Sequence, residues 1–451
     1  MKPTKAQGLF LAVFLILCLI PSVGLLCFGP SEAGANEIAP SAPRLTAPDG
    51  SPNAAYLSDL TDYVGRRFFL RQELITAHNR LVSGVFGTSA EDDVLLGQDG
   101  WLFYGSTLAD FTGSAPMTDR EIFAAAHNLA LMQEYCAANG TRFLFTAAPN
   151  KNSLYPEQMR PYPIVSTQKN AARLQAALAR EGVAYLDLFS VFRAQPDTLY
   201  FAHDSHWNSR GAALGADCIN DALGRESAYF SDAFSGSVRH DGDLYAMLYP
   251  AAGDPEQDPV YGGTLSFTHE TENARPDSIT LDTVSGGSGT LVMFRDSFGN
   301  LLYPYLSDSF ARARFSRQTA YDLTTAPELD ADCLVIELVE RNLIWLTQQR
   351  FCMPAPARAA DADAASDGGR AQLETSTART PAGCVRLDGV LPETPETEAT
   401  VLVGCGGVYY EAFLLQDGGF TACLPETAQG ACSVLCLQDG GAVRYETDLA
   451  L

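Results

Sequence analysis

Apolar and polar positions divide the chain into stretches of different style. Gly8 to Phe28 holds no charged residue, and about 20 apolar residues are enough to span a bilayer. From residue 56 to residue 352, buried-type runs of strand length alternate with stretches of helical period. Arg142–Pro149, Val183–Leu188, Thr290–Ser297, Arg312–Ser316 and Cys333–Val339 read as strands. Thr118-Asp-Arg-Glu121 has the spacing of a capping box. It predicts a helix through Ile122, Leu129, Met132 and Cys136 that stops at Gly140. Gln168–Arg180 and Ser209–Leu223 predict two more helices. Strands that alternate with helices imply a parallel, doubly wound sheet. The last 70 or so residues differ: short strands such as Val401–Val403, Val408–Leu415, Phe420–Cys423, Ala431–Cys436 and Ala442–Tyr445 alternate with turns at Gly406-Gly407, Asp417-Gly418-Gly419 and Asp439-Gly440-Gly441.

These patterns set the expected boundaries. Residues 1–28 are a transmembrane anchor or a signal, and 29–55, rich in Pro, Ala, Ser and Gly, are a linker. Residues 56–352 form the α/β domain. Residues 353–380 lack hydrophobic period and read as a second linker. Residues 381–451 form a small β-sandwich-like module that folds separately. Lys2 and Lys5 precede the apolar run and acidic residues follow it, which directs the bulk of the chain out of the cytoplasm. Ala33-Gly34-Ala35 resembles a cleavage site. The apolar run is longer than a usual signal core, and that favours an uncleaved anchor.

Composition narrows the function. The chain has 451 residues and a formal net charge of −24, with a pI near 4.5. Such a surface repels nucleic acid, and no basic cluster argues otherwise. Eleven cysteines occur without a CxxC pair, so a zinc ribbon is not implied. An HExxH motif, a P-loop and a GxGxxG at a strand–helix junction are absent from the sequence. No cofactor is implied.

The candidate chemistry lies in two phrases: Asp204-Ser205-His206-Trp207-Asn208, and Arg295-Asp296-Ser297-Phe298-Gly299-Asn300. A serine hydroxyl needs a base to take its proton and a carboxylate to orient that base. Asp204, His206 and Ser297 supply all three if both phrases reach one sheet edge. Taken singly, His206 also reads as a structural histidine, Ser297 as a helix N-cap, and Asp204 with His206 as two metal ligands. Asn150 and Arg341 lie at other strand ends, where they are oxyanion or substrate candidates. Their plainer roles are a turn residue for Asn150 and an ion pair with Glu337 or Glu340 for Arg341. Lys151 reads as solvated. Trp101 and Trp207 read as core, with sugar stacking as the alternative.

Together with Leu96–Tyr104, Pro149-Asn-Lys151, Tyr155-Pro-Glu157 and Val339-Glu-Arg341, these phrases resemble the AlgJ/AlgX-like, DHHW-type family of permuted SGNH-hydrolase-like polysaccharide O-acetyltransferases. The resemblance covers about residues 56–350. It implies an SGNH-like, flavodoxin-like parallel sheet in circularly permuted order, with Ser297 as nucleophile, His206 as base and Asp204 as orienter. It also implies a polysaccharide substrate and a membrane-bound O-acyltransferase (MBOAT type) that supplies acetyl groups, since acetyl-CoA is not found outside the cell. The chain departs from the family pattern at Arg295, where the family has Gly, at Ser205, and in lacking the Gly-x-Asn-Asp donor motif. An acetylesterase with the same triad and a non-catalytic polysaccharide-binding scaffold are the alternative functions.

Overall fold

The computed structural model describes residues 4–34, 37–232, 234–361, 365–375, 383–395, 398–438 and 441–451. The cleavage-like Ala35, the turn residues Asp439 and Gly440, and the junction 376–382 lie outside the described residues. A seven-stranded sheet organises the α/β part. Its strands are β1 (Arg142–Ala148), β2 (Tyr185–Leu186), β3 (Phe267–His269), β4 (Thr280–Ser285), β5 (Thr290–Phe294), β6 (Arg312–Ser316) and β7 (Cys333–Val339), in the spatial order β2-β1-β7-β5-β6-β4-β3. Five strands run parallel. Counted from β5, they read 2-1-3-4-5, the flavodoxin-like order. The chain enters this order at its fourth strand, so the sheet is permuted as expected.

Period-two side-chain alternation explains how β5 is covered on both sides. Val292 and Phe294 join the core under the helices Asp119–Ala138 and Asn170–Glu181. Leu291 and Met293 join the opposite core with Trp207, Leu302 and Leu306, under the helices Ser209–Ala222 and Gly299–Ser309. Burial on both faces is why these strands read as mostly apolar runs. The Asp119 helix starts with the expected capping box between Thr118 and Glu121.

Three expectations change. Val183–Leu188 yields only a two-residue strand, because the Asp187 carboxylate caps the helix Leu188–Arg193 at the Ser190 N–H, 3.2 Å away. The sheet is mixed: β4 and β3 extend the β6 edge antiparallel. They are short and carry polar residues, so no apolar run announced them. The stretch 353–380, expected as a linker, contributes the strands Ala357–Arg358, Ser366–Arg370 and Gln372–Thr375.

Those strands complete two facing sheets of six and four strands, which share a core of Leu387, Val401, Val403, Leu414, Phe420 and Val434. The expectation that few contacts tie this module to the α/β domain is not met. Phe123 and Ala124 of the Asp119 helix belong to the same core. Asn128 Nδ2 donates to the carbonyls of Leu346 and Leu414, each at 2.8 Å, and Asn128 Oδ1 accepts the Leu414 N–H at 2.8 Å. His127 lies between Glu181 and Glu411. Near the N-terminus, the helix Lys5–Phe28 is long and apolar enough to cross a membrane, a test that a signal sequence also passes.

Candidate active site

Strand β5 ends at Phe294, and the chain turns through Ser297 into the helix Gly299–Ser309. At this carboxyl end, Ser297 Oγ lies 2.8 Å from His206 Nε2. His206 Nδ1 lies 2.6 Å from Asp204 Oδ1, which also accepts the His206 backbone N–H at 2.9 Å. The second Asp204 oxygen faces His240 Nε2 and accepts the Asp243 N–H, both at 3.0 Å. The three residues singled out in the sequence thus meet where open α/β sheets bind ligands, beyond the strand carboxyl ends at the point where the strand order reverses.

Two clamps hold the parts. Lys151, expected to be solvated, is buried beneath the loop instead. Its Nζ donates to the carbonyls of Phe201 and Ala202 at 3.0 Å and of Asp204 at 2.6 Å. Burial pushes its pKa down to about 8. Trp207 is core, as expected, and its indole N–H donates to the Phe298 carbonyl at 3.1 Å. That bond links the imidazole loop to the serine turn. On the serine side, Asp296 accepts the Phe298 N–H at 2.9 Å and the Val339 N–H at 2.8 Å, which staples the end of β5 to the end of β7. Arg295 is buried. It reaches Asn300 Oδ1 at 2.6 Å and the Pro276 carbonyl at 2.6 Å. A Cβ at Gly299 would stand 2.3 Å from Arg295 Cδ, so this neighbour must be glycine.

Electrostatics favour an ion-pair-like dyad. Burial opposes charge on Asp204, yet His206, His240 and the Asp243 N–H together hold its carboxyl well below the usual range. Burial likewise opposes the His206 imidazolium, but Asp204 and then Asp243 outweigh it, and the pKa is raised. Asp243 Oδ2 lies 3.6 Å from His206 Nδ1 and accepts the Ser205 hydroxyl at 2.6 Å.

The two secondary candidates differ. Asn150 is fully buried. Its N–H donates to Glu340 at 2.9 Å and its Nδ2 to Asp110 at 3.1 Å, so it orders the end of β1. Arg341 does not pair with Glu337 or Glu340: Glu337 accepts the Asp296 N–H and Glu340 the Asn150 N–H. The Arg341 guanidinium instead lies over the rings of Tyr104 and Phe298, at 5.2 and 5.6 Å. Asp204, His206 and Asp243 form a group that fits metal-ligand spacing, but Asp204 and His206 hydrogen-bond each other, His206 also bonds Ser297, and Asp243 accepts the Ser205 hydroxyl. His240, Asp243 and Glu256, which accepts the Ala202 and His203 N–H groups, escaped sequence reasoning. They lie in the 234–261 segment, which has no strand–helix period and no motif; only its density of His, Asp and Glu was a signal.

Residues 94–278 match the family model described as SGNH hydrolase-like domain, acetyltransferase AlgX. That stretch includes Asn150, Asp204 and His206 and ends before Ser297. No curated protein matches the chain. Solved structures similar to it include a DHHW family protein from Eubacterium siraeum, with 13% identity and a TM-score of 0.44 over 58% of this chain and 97% of that one. Bacillus cereus PatB1 with a sulfonyl adduct shows 15% identity and a TM-score of 0.42, over 56% and 97%. Pseudomonas aeruginosa AlgX shows 13% and 0.38, over 77% and 89%.

Proposed function

From the AlgX-type SGNH hydrolase-like acetyltransferase domain over residues 94–278, we propose that this protein is an extracytoplasmic O-acetyltransferase acting on a cell-surface or secreted polysaccharide. One observation carries the reading: the continuous Asp204–His206–Ser297 hydrogen-bond chain at the carboxyl end of β5. In the proposed cycle, His206 Nε2 takes the Ser297 Oγ proton as Oγ attacks the acetyl carbonyl of the donor. The leaving group departs with that proton and acetyl-Ser297 remains. His206 then takes a proton from a sugar hydroxyl, whose oxygen attacks the acetyl-serine. The sugar leaves acetylated, and His206 returns the proton to Ser297. Asp204 holds the imidazole in the reactive tautomer and supports its charge.

The oxyanion that forms in each half needs donors aimed at it. The Phe298 N–H is engaged by Asp296 and the Asn300 N–H by the Ser297 carbonyl. The reading therefore assigns the N–H groups of Ser297 and Gly299, with the Arg341 guanidinium over Phe298 as charged support. The helix Lys5–Phe28 serves as an uncleaved anchor, and a membrane-bound O-acyltransferase supplies acetyl groups. The test is intact-mass analysis after exposure to a chromogenic acetyl ester. Acetyl-Ser297 should form and be discharged by an oligosaccharide acceptor. Discharge by water alone, with the acceptor present, would make the protein an esterase; no acetyl-Ser297 at all would sink the mechanism.

A further inference from the structure

A groove of about 610 Å³ is lined by Gln98, Trp101, Arg160, His203, Tyr245 and Tyr249, and His203 adjoins Asp204 in the chain. We propose that it is the subsite that seats the acceptor glycan chain; the proposal rests on the transferase reading and adds where the sugar lies.

The groove is built from rigid parts. The Trp101 ring packs against Tyr155 at 5.1 Å, with the buried Lys151 ammonium 5.6 Å above it. His203 stacks on Tyr245, with 5.1 Å between centroids, and Tyr245 meets Tyr249 edge-on at 5.2 Å. The His203 imidazole is aimed by a buried carboxylate: Nδ1 lies 2.7 Å from Asp254 Oδ1. Nε2 has no protein partner among the described residues and is open to a ligand. Arg160 is fixed on the carbonyls of Gly97 and Gly87. Groups already held in place lose little freedom when a ligand arrives.

The chemistry selects the occupant. A pyranose ring has apolar C–H faces and a rim of hydroxyls. Trp and Tyr offer flat apolar area with a polar tip, and His203, Gln98 and Arg160 offer hydrogen bonds at the rim. A lipid acyl chain would leave His203 Nε2 without a hydrogen-bond partner. The groove also fits the size of small-ligand sites.

Position ties the groove to the reaction. His203 lines it, and the next residue, Asp204, holds the catalytic imidazole. One short helix, Asp243–Leu248, serves both sides. Its Asp243 N–H binds Asp204, and its Tyr245 N–H binds the His203 carbonyl at 3.1 Å. A sugar chain lying on Tyr245 and His203 is thus seated on the short helix and the loop that position His206.

The experiment uses the full-length Ser297→Ala protein in detergent, titrated with cello-, chito- and polyuronate hexasaccharides in an isothermal titration calorimeter. Saturable binding of at least one hexasaccharide is expected. Trp101→Ala or Tyr245→Ala should then weaken it by about tenfold or more, and Trp101→Phe should recover part of the loss. Unchanged dissociation constants in well-folded Trp101→Ala and Tyr245→Ala proteins would overturn the groove, as would absence of binding by every hexasaccharide. Acetyl-Ser297 formation in the wild type is scored separately. Acylation without sugar binding refutes the groove alone; Trp101-dependent sugar binding without acylation refutes the transferase reading and leaves the groove standing.

Discussion

His206 Nε2 and Ser297 Oγ stand 2.8 Å apart although 91 residues of chain separate them. The contact joins a loop clamped from below by Lys151 to a turn stapled to β7 by Asp296, and the Trp207–Phe298 bond ties the two together. Each partner is therefore positioned by groups besides the other.

Replacement of Ser297 by Ala removes little volume and should leave the fold intact. Hydrolysis of a chromogenic acetyl ester should fall by on the order of 10⁴-fold or more. Asp204→Asn should also cost about 10⁴-fold, since it favours the wrong imidazole tautomer. Wild-type rates from a Ser297→Ala protein with an unchanged circular dichroism spectrum would end the nucleophile assignment.

His206 must be neutral to act as a base, and Asp204 and Asp243 outweigh burial to raise its pKa. Activity should therefore rise with pH through an acid limb centred above the ordinary histidine value of about 6.5. Asp243→Asn removes one carboxylate that favours the imidazolium, so the limb should move to lower pH. A limb that stays in place or moves up would contradict the role given to Asp243. The measurement is the pH profile of kcat/KM for both proteins.

The C-terminal module should not be removable. Asn128 is fully buried and makes three hydrogen bonds, two of them to the Leu414 backbone. Asn128→Ala strands these groups and should cost about 1–3 kcal/mol in chemical denaturation. A chain ending near residue 355 exposes Phe123 and Phe351 and should unfold or aggregate; a monomeric, cooperatively folded truncation would refute this coupling.

His127 makes stability depend on pH. Burial opposes its charge, but Glu411 and Glu181 outweigh it and raise its pKa in the fold. A raised pKa means its contribution is complete below the unfolded value of about 6.5 and is lost as pH rises through the folded one. Thermal midpoints should decline over that window in the wild type and decline less in His127→Gln. Parallel curves would remove His127 from the account.

The legible part of the molecule was the part where burial is two-sided. Strands β1, β5 and β7 are mostly apolar runs, broken only by Arg142, Thr146 and Thr290 and by the buried Glu337, and the capping box at Thr118 marks a helix start, so both could be read from order alone. Asp204, His206 and Ser297 were visible because their spacing and strand-end placement have chemical meaning. Asp243 and His240 were not, because they reach the site through a loop with no periodic signal. Lys151 was misread because a lysine is usually solvated; only the three carbonyls converging on its ammonium make burial tolerable. The supposed linker misled because its strands are short, polar and glycine-bearing, and pair with a neighbour to gain order.

The permuted strand order has a kinetic side. β1 is made early, yet its long parallel partner is β7, and the hydrogen bond from Thr141 to Ala331 beside that pairing closes a loop of 190 residues. Until β7 emerges, β1 has only the two-residue β2 beside it. Contacts so distant in sequence slow folding, so the sheet waits for nearly the whole α/β domain to be synthesised. A nascent chain halted before residue 333 would hold the His206 loop and the Ser297 turn as unassembled pieces, with the edge of β1 open to aggregation.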